Sequence, residues 1–443
     1  MKTLIFCLAQ RDQYRKIIIS ENEIFLSPDE PDPNGTNRIR LESSQMDMQT
    51  IMKKYPHLAN PDLIFIKTDA TRRNLVNGIT RLNCPSVISI ADTHHLYRPI
   101  ECLQQYLASE EFTVVSVEND RHHLKWYSRY VRPGHNLYWF PNFAFNPIHR
   151  IFNAERVPRV VFAGSLGRFH PYRRHVVESL QKASYPIDAL SCSQENAASH
   201  YSNYLISLNV SLNQDLNWRF FEIISSGGFL LTDRLNEESG ISKIFTEGIH
   251  YEAFGDQNEL YYKVNYYLSN PKKAIEISRR GCQHYWDTLS PKILRKELIK
   301  SAFGLSVDHK YTSPQYGSID CLQHYVRAYQ SLQEIHRISP QPLFIFSPRI
   351  DPILINEVRL LKRSTICFTS SREYSLGGLQ NQKKQATTLI CVDNSELNQL
   401  PDWSTDVNPS FIVFTRACGD NIMVRLQRND YIYNKGIDCY ARN

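Results

Sequence analysis

A short segment, residues 217–233 (NWRFFEIISSGGFLLTD), carries an arginine and a carboxylate among aromatic and aliphatic neighbours. Asn217 at its start and the glycine pair in its middle predict a short capped helix, and a strand should follow. On that helix Arg219, Glu222 and Ser226 fall at i, i+3 and i+7, so they share one face. Charges on an otherwise apolar helix are costly to bury alone, so the segment predicts either a structural Arg219–Glu222 ion pair or a bound ligand.

A glycine-serine turn with nearby arginines is the second candidate site. The strand VVFAG is followed by Gly164 and Ser165, and the turn then leads through Arg168 into a helix. The backbone N–H groups and the positive dipole end of such a helix can hold phosphate oxygens. Arg168, Arg173 or Arg174 would add charge, and we favour Arg168 and Arg173. The alternative is an ordinary turn without a ligand.

Polar side chains follow the strand SVISI and form the third candidate site. They are Asp92, His94 and His95. Ligands bind at strand ends in α/β domains, and a histidine there can take up or donate a proton near neutral pH. Adjacent side chains of an extended segment point opposite ways, so at most one histidine faces the ligand side. The alternative is that Asp92 caps the next helix and both histidines are on the surface. His122 and His123 are predicted to lie on a surface helix, and no metal site is predicted from these spacings.

Length and charge restrict the class of protein. The 443 residues, 42% of them hydrophobic, are enough for two or three domains with their own cores. The net charge of +6 suits an anionic ligand. No run of lysine and arginine is dense enough to predict nucleic acid as the main partner.

Cysteine usage and hydropathy indicate the compartment. The ten cysteines are scattered without a C-x-x-C pair, so we expect reduced, mostly buried thiols and neither a zinc site nor a disulfide framework. The apolar start of the chain is too short for a signal peptide, and no apolar run has the length of a membrane span. These patterns predict a soluble, cytoplasmic protein with at most peripheral membrane contact.

Apolar runs that alternate with helical stretches are typical of parallel α/β layers. Four N-terminal strands are predicted at 3–9, 63–67, 86–92 and 114–119. Residues 17–27 (IIISENEIFLS) predict an early hairpin or strand pair. The chain after residue 305 predicts a helix near 319–335, a series of short strands and a closing hairpin over 421–443.

The element order after residue 157 resembles the C-terminal half of the group-1 glycosyltransferases, and most closely their spore-maturation, CgeB-like branch. In that branch an Arg-Phe-Glu helix precedes a glycine-ended turn, a Leu-Thr-Asp strand, a glycine-bearing loop and a helix with a Tyr-Leu pair; this chain has RFFE, SSGG, LLTD, AFGD and NYYL. The resemblance covers residues 157–304 well and the N-terminal half more weakly. It implies an α/β protein with two facing Rossmann-like domains of the GT-B type (1–150 and 151–304) and a small C-terminal α/β appendage (305–443).

The resemblance also implies roles for individual residues. It implies that Glu222 binds the ribose hydroxyls of a nucleotide sugar, since a carboxylate can accept two hydroxyl hydrogen bonds. The wider superfamily has an earlier glutamate that positions the donor sugar, and this sequence has Gln214 there. Asp92 matches a cleft residue of the CgeB-like proteins. The nucleotide-sugar site is therefore predicted to include Gly164, Ser165, Arg168, Arg173, Gln214, Arg219, Glu222, Ser226 and Gly227.

The predicted function is transfer of a sugar from a nucleotide-diphosphate donor to an unknown acceptor. The resemblance implies retention of configuration, and arginines and helix dipoles could neutralise the diphosphate without a metal or another cofactor. Two alternatives remain open. The chain could be a non-catalytic nucleotide-sugar-binding or assembly protein of the same fold, or a bifunctional protein with a degenerate methyltransferase-like tail.

Overall fold

A computed structural model of the protein describes residues 1–7, 19–30, 37–43, 46–69, 75–91, 99–128, 136–142, 149–166, 171–211, 216–235 and 239–313, and the C-terminal strands 343–346, 367–369, 388–391, 411–414, 431–434 and 439–442. The chain forms two compact units. The first comprises residues 1–93 and 98–314, and the second comprises 94–97 and 315–443. The domain boundaries at residues 150 and 304 stay a prediction.

A seven-stranded parallel sheet forms the N-terminal part of the first unit. Its strands are β1 (Thr3–Cys7), β2 (Glu23–Ser27), β3 (Arg38–Arg40), β4 (Leu63–Thr68), β5 (Ser86–Ile90), β6 (Val114–Val117) and β7 (Asn136–Trp139). They pair in the order β3-β2-β1-β4-β5-β6-β7. The order reverses between β1 and β4, and such a reversal opens a crevice at the carboxyl ends of the strands.

A five-stranded parallel sheet forms the rest of the first unit. Its strands are β8 (Val157–Ala163), β9 (Ile187–Leu190), β10 (Tyr204–Asn209), β11 (Leu230–Asp233) and β12 (Glu252–Phe254). The strand order is β12-β11-β10-β8-β9. Here the order reverses between β8 and β10, which places the ligand crevice of this sheet after those two strands.

The helices of the first unit alternate with these strands, as parallel pairing requires. They are α1 (Met48–Lys54), α2 (Pro99–Ser109), α3 (Pro171–Lys182), α4 (Gln194–Asn203), α5 (Trp218–Ser225), α6 (Gln257–Ser269), α7 (Pro271–Thr288) and α8 (Pro291–Ala302). Short 3₁₀ helices occur at Pro56–Leu58, Ile79–Arg81, Arg121–Trp126, Ile241–Lys243 and His309–Tyr311. None of the described helices is long and apolar enough to cross a membrane.

The early hairpin predicted over residues 17–27 is wrong in the part of it that the structure describes. That part contains one strand, β2, which runs parallel to both β1 and β3. Residues 8–22 separate β1 from β2, and a connection of a dozen or more residues is what a parallel crossover needs. The apolar residues of this segment identified the strand correctly, but they did not show the direction in which it pairs.

The second unit contains a third sheet. Its strands are β13 (Leu343–Phe346), β14 (Cys367–Thr369), β15 (Thr388–Cys391), β16 (Phe411–Phe414), β17 (Tyr431–Asn434) and β18 (Cys439–Arg442), in the order β14-β13-β15-β16-β18-β17. The first four pair in parallel, and β17 and β18 form the predicted closing hairpin. The helix predicted near 319–335 lies outside the described residues. The predicted fold class, α/β with parallel Rossmann-like sheets, is confirmed, and of the predicted C-terminal α/β appendage the described residues show the sheet.

Candidate functional site

The crevice of the second sheet is lined by the residues that follow β8 and β10. Gly164 comes directly after β8, and Ser211 comes two residues after the end of β10. Helix α5 begins a few residues further along the chain, so its first turn can reach both strand ends. The first two candidate sites predicted from the sequence therefore lie at the same edge of the second sheet.

Arg219 connects helix α5 to this edge. Its Nε donates to the carbonyl oxygen of Ala163 at 2.8 Å, and its Nη1 donates to Oδ1 of Asn209 at 3.4 Å. The guanidinium also lies 4.7 Å from the ring centroid of Phe162, on strand β8. Arg219 and Glu222 form no direct ion pair in the structure. The guanidinium is thus held at the switch point by strand ends, and the simple ion-pair alternative does not describe this helix.

Glu222 is the half-buried carboxylate of the crevice. Its Oε1 accepts a hydrogen bond of 2.8 Å from Nε2 of Gln194, on the neighbouring helix α4. Within the described part of the chain, Oε2 accepts no hydrogen bond. Burial raises the pKa of the Glu222 carboxyl, against the smaller opposing effects of the Arg219 charge and the Gln194 amide. One carboxylate oxygen therefore remains available for a hydroxyl donor, and Gln194 is a residue that the sequence reasoning missed.

The glycine turn after β8 lies against the Arg219 guanidinium. A Cβ added to Gly164 would stand 2.1 Å from Nη2 and 2.9 Å from Cζ of Arg219, much closer than such atoms can approach. The backbone of Gly164 has φ +155°, a value that residues other than glycine rarely adopt. The next residue, Ser165, is exposed. Glycine at 164 is thus needed for the guanidinium to reach the strand end.

We expect Gly164→Ala to weaken nucleotide binding without unfolding the protein. The added methyl group would push the guanidinium away from Ala163 and distort the turn beside it. Loss of one charge-assisted hydrogen bond corresponds to about 1.5–3 kcal/mol. The affinity should be measured by calorimetry with a nucleotide diphosphate. Gly248→Ala is the control, because that glycine also has a positive φ of +78° but no atom within 4 Å of an added Cβ. Equal affinity of both variants and wild type would contradict the assignment.

Arg173, predicted to face a diphosphate, is buried in the structure. Its Nε donates to the carbonyl oxygen of Val210 at 2.9 Å, and its Nη1 donates to that of Ser165 at 3.4 Å. The side chain therefore joins the residue after β10 to the turn after β8. Its contribution to the candidate site, in this geometry, is to hold these two segments together. Direct diphosphate binding by Arg173 stays a prediction.

Both ends of helix α5 are built as the sequence predicts. The Asn217 side chain accepts a hydrogen bond from the Phe220 backbone N–H, which confirms the predicted cap. Ser226, at the other end, donates its hydroxyl to the carbonyl oxygen of Glu222 at 2.7 Å. Gly227 has φ +79° and ends the helix, and its carbonyl oxygen accepts from Nη2 of Arg156 at 2.7 Å. In the structure Ser226 and Gly227 support the helix that carries Glu222, and contact with a ligand stays a prediction.

Five predicted site residues lie outside the described residues, namely Asp92, His94, His95, Arg168 and Gln214. Ser211, just before residues 212–215, donates its backbone N–H to Oδ1 of Asp233 at 2.7 Å. Leu216, just after them, donates its N–H to Oδ1 of Asp120 at 2.7 Å. The described residues on both sides of Gln214 are therefore held by buried carboxylates.

The prediction that His123 lies on the surface is wrong. His123 belongs to the 3₁₀ helix Arg121–Trp126 and is only 2% exposed. Its Nε2 lies 4.0 Å from Oδ2 of Asp120, which is itself fully buried. A histidine beside a buried carboxylate can be placed in a core. Asp120 is only three residues away in the sequence, but the burial of both side chains is set by the packing around them.

A buried charged pair at the carboxyl edge of the first sheet was not predicted. The Lys67 ammonium, near the end of β4, donates to Oε2 of Glu118, which follows β6. Oε1 of the same carboxylate accepts from the Ser89 hydroxyl at 2.6 Å, and Ser89 is the register partner of Lys67 on β5. The Lys67 and Glu118 side chains are 3% and 1% exposed. The predicted strand LIFIK contains Lys67. Its partner Glu118, 51 residues away, could not be identified from the sequence.

The pair is in contact with the helix that carries the nucleotide candidates. Nζ of Lys67 lies 4.8 Å from the ring centroid of Trp218, the first residue of α5. Lys67 also stands next to the reversal of strand order between β1 and β4, where its register partner is Cys7. Lys67 of the first sheet is therefore in contact with the first residue of helix α5. Among the described residues, no cluster of three histidine, cysteine or carboxylate side chains could hold a metal ion.

The model of a family described as glycosyl transferase-like matches residues 154–292. No curated protein matches the chain.

Solved structures with distant similarity include TarM of S. aureus, at 9% identity and a TM-score of 0.42 over 54% of each chain. The match thus spans about half the length of TarM. HepE of Anabaena in complex with UDP-glucose is 10% identical, with 68% of this chain and 100% of that chain covered and a TM-score of 0.41. A glycosyltransferase of Rickettsia africae is 13% identical, with 69% and 99% covered and a TM-score of 0.45. Residues 154–292 match a glycosyl transferase-like family, and the enzyme class predicted from the sequence agrees with this match over those residues.

Proposed function

We propose that the protein transfers a sugar from a nucleotide-diphosphate donor to an acceptor. The observation that carries this proposal is the half-buried Glu222 carboxylate, with Oε2 unoccupied by described protein donors, on the same helix as the Arg219 that contacts the ends of β8 and β10. A ribose presents two neighbouring hydroxyl donors, which one carboxylate can accept. The site lies within the residues matched by the glycosyl transferase-like family.

The remaining parts of the donor have proposed places around Glu222. Backbone N–H groups of the turn at Gly164 and Ser165, with Arg168, would bind the diphosphate. Gln214 would hydrogen-bond the donor sugar. In this proposal the developing charge on the leaving phosphate is stabilised by arginines and helix dipoles, without a metal ion or another cofactor, and configuration is retained.

The acceptor side is proposed to lie in the first of three domains, with boundaries at residues 150 and 304. Asp92 and either His94 or His95 would act on the acceptor or donor sugar from the end of β5. The proposal also places the chain nearest to the CgeB-like branch of glycosyltransferases, because RFFE and LLTD occur here in the same order as in that branch.

The full-length protein should be tested against a panel of nucleotide sugars and free nucleotides by thermal shift. A ligand that binds only the folded protein at 100 times its Kd stabilises it by about 2.7 kcal/mol, so the correct nucleotide should raise Tm clearly. Donor hydrolysis should then be followed by chromatography. Binding with hydrolysis or transfer supports the proposed enzyme. Binding without any turnover of the sugar would support the non-catalytic alternative, and no binding at all would contradict the proposal.

The proposed catalytic residues give a separate prediction. We expect Asp92→Asn and His95→Ala to lower turnover by about 10²-fold or more, as loss of a general acid or base does, while nucleotide affinity changes little. His94→Ala should then have a mild effect, because neighbouring side chains of an extended segment point to opposite sides, and the two histidines exchange these roles if the segment turns between them. Steady-state turnover and nucleotide affinity should be measured on all three variants. Normal turnover in all of them would assign Asp92 to a helix cap with exposed histidines.

A further inference from the structure

A small pocket with a volume of about 170 Å³ lies outside the crevices described above. It is formed by the loop after the 3₁₀ helix Ile241–Lys243, by helix α7 and by Lys310. Two lysines, two histidines and several hydroxyl groups line it, and no carboxylate is among its described lining residues. Its chemistry is therefore cationic and rich in hydrogen-bond donors.

Two stacked imidazoles form one wall of the pocket. The rings of His250 and His284 lie parallel with centroids 4.3 Å apart. Nδ1 of His250 accepts the backbone N–H of Thr246 at 3.0 Å, so its proton is on Nε2. Nε2 of His284 lies 2.7 Å from the carbonyl oxygen of Ile244, to which it donates. Nε2–H of His250 has no acceptor within the described residues, and it is a free donor in a pocket.

Burial, with positive charges nearby, favours the neutral form of His250. Burial, the stacked His284 and the nearby Arg280 lower the pKa of His250 to about 4. Lys243 is exposed and makes no ion pair in the described part of the chain. Lys310 has one carboxylate neighbour, Asp308, whose Oδ2 lies 3.3 Å from Nζ. Positive charge therefore exceeds negative charge at the pocket, and an anion would compensate it.

We propose that this pocket binds a phosphate group, either free phosphate or a phosphate monoester. Ammonium groups of Lys243 and Lys310, Nε2–H of His250 and the hydroxyls of Ser242 and Thr246 offer donors to several oxygens at once. A planar carboxylate has two oxygens and would leave part of this donor set unused. A phosphate fits the volume, and the carbon chain of a monoester can extend to solvent because the pocket is open.

The pocket is separate from the proposed donor site. None of Gly164, Arg219 and Glu222 lines it. Its Phe245 packs against Phe220 of helix α5, with ring centroids 5.5 Å apart. The binding proposal does not depend on the proposed glycosyl transfer, and it is tested with readouts that need no activity.

The first test is a thermal-shift titration of the full-length protein with millimolar phosphate, against sodium chloride of equal ionic strength. We expect a saturable rise in Tm, and an apparent affinity about tenfold lower in Lys243→Met, as loss of one charge-assisted contact implies. Lys272→Met, an exposed lysine at the start of α7, is the matched control and should respond like wild type. Glu222→Ala should also keep the response. Glycerol 3-phosphate in a parallel titration distinguishes a monoester site from a site for free phosphate.

The second test follows the His250 imidazole by NMR as pH is lowered. Between the ordinary pKa of 6.5 and about 4, the unfolded chain binds a proton that the folded protein does not, so stability falls as pH falls. A bound anion favours the imidazolium and should raise the pKa of His250. Sulfate remains a dianion in this range, so its stabilising effect should grow on acidification. A saturable Tm shift with a raised His250 pKa supports the site. No saturable shift at matched ionic strength, or equal shifts in Lys243→Met and Lys272→Met, overturns it.

Discussion

Replacing Lys67 by methionine should lower the free energy of unfolding by about 3–5 kcal/mol, because the Glu118 carboxylate would stay buried without its cation. The Ser89 hydroxyl would remain as one donor, but a single neutral hydrogen bond does not offset the burial of a charge. Urea unfolding monitored by fluorescence measures the change, and Lys272→Met controls for the loss of one lysine at an exposed position. A loss below about 1 kcal/mol would show that solvent reaches the pair and screens it.

The double variant Lys67→Met/Glu118→Leu distinguishes a structural role of the buried pair from a functional role. Apolar residues of similar volume often replace a buried pair without loss of stability, so the double variant should unfold near the wild-type midpoint. If the pair serves only the fold, the proposed sugar transfer should return together with stability. If the proposed transfer stays slow in a stable double variant with unchanged nucleotide affinity, the pair also serves the proposed reaction.

Local sequence patterns were sufficient to predict the helix and strands that carry the candidate site. The cap at Asn217 and the helix end at Gly227 follow from residue types a few positions apart, and the structure has both. The apolar runs at 63–67 and 114–119 likewise identify β4 and β6, because strands buried on both faces are apolar at nearly every position.

Contacts over long sequence separations were not predictable in the same way. The i, i+3 spacing of Arg219 and Glu222 suggested a mutual ion pair, yet each finds its partner on another element, at Ala163 and at Gln194. The direction in which β2 pairs also depends on the crossover that precedes it. Sequence patterns record periodicity along one element, whereas these partners are brought together only by the packing of several elements.

The sequence explained only in part why a glycine is needed at position 164. A glycine after a strand predicts a turn, and the resemblance to glycosyltransferases assigned that turn to phosphate binding. In the structure the same glycine is needed because a guanidinium from α5 occupies the space of its missing side chain. The physical reason for the glycine is therefore a contact with Arg219, more than fifty residues later in the chain.

Replacing Glu222 by alanine should weaken binding of the nucleotide sugar and of the free nucleotide equally, by about 1.5–3 kcal/mol or roughly tenfold to a hundredfold. The equality follows because the ribose is common to both ligands. Calorimetry with both ligands measures it, and Glu178→Ala, which removes a half-exposed carboxylate from α3, is the control.

Stability of the same variant distinguishes a ligand-binding carboxylate from a structural one. Because the pKa of Glu222 is raised, the folded protein holds this proton more tightly than the unfolded chain does. Wild-type stability therefore decreases as pH rises from the ordinary glutamate pKa through the raised value, and Glu222→Ala should lack this decrease. In urea unfolding between about pH 4 and 8, the range in which a glutamate with a raised pKa titrates, the variant should gain stability relative to the wild type as pH rises. Unchanged nucleotide affinity with a large loss of stability at every pH would instead assign Glu222 to the fold, through its hydrogen bond to Gln194.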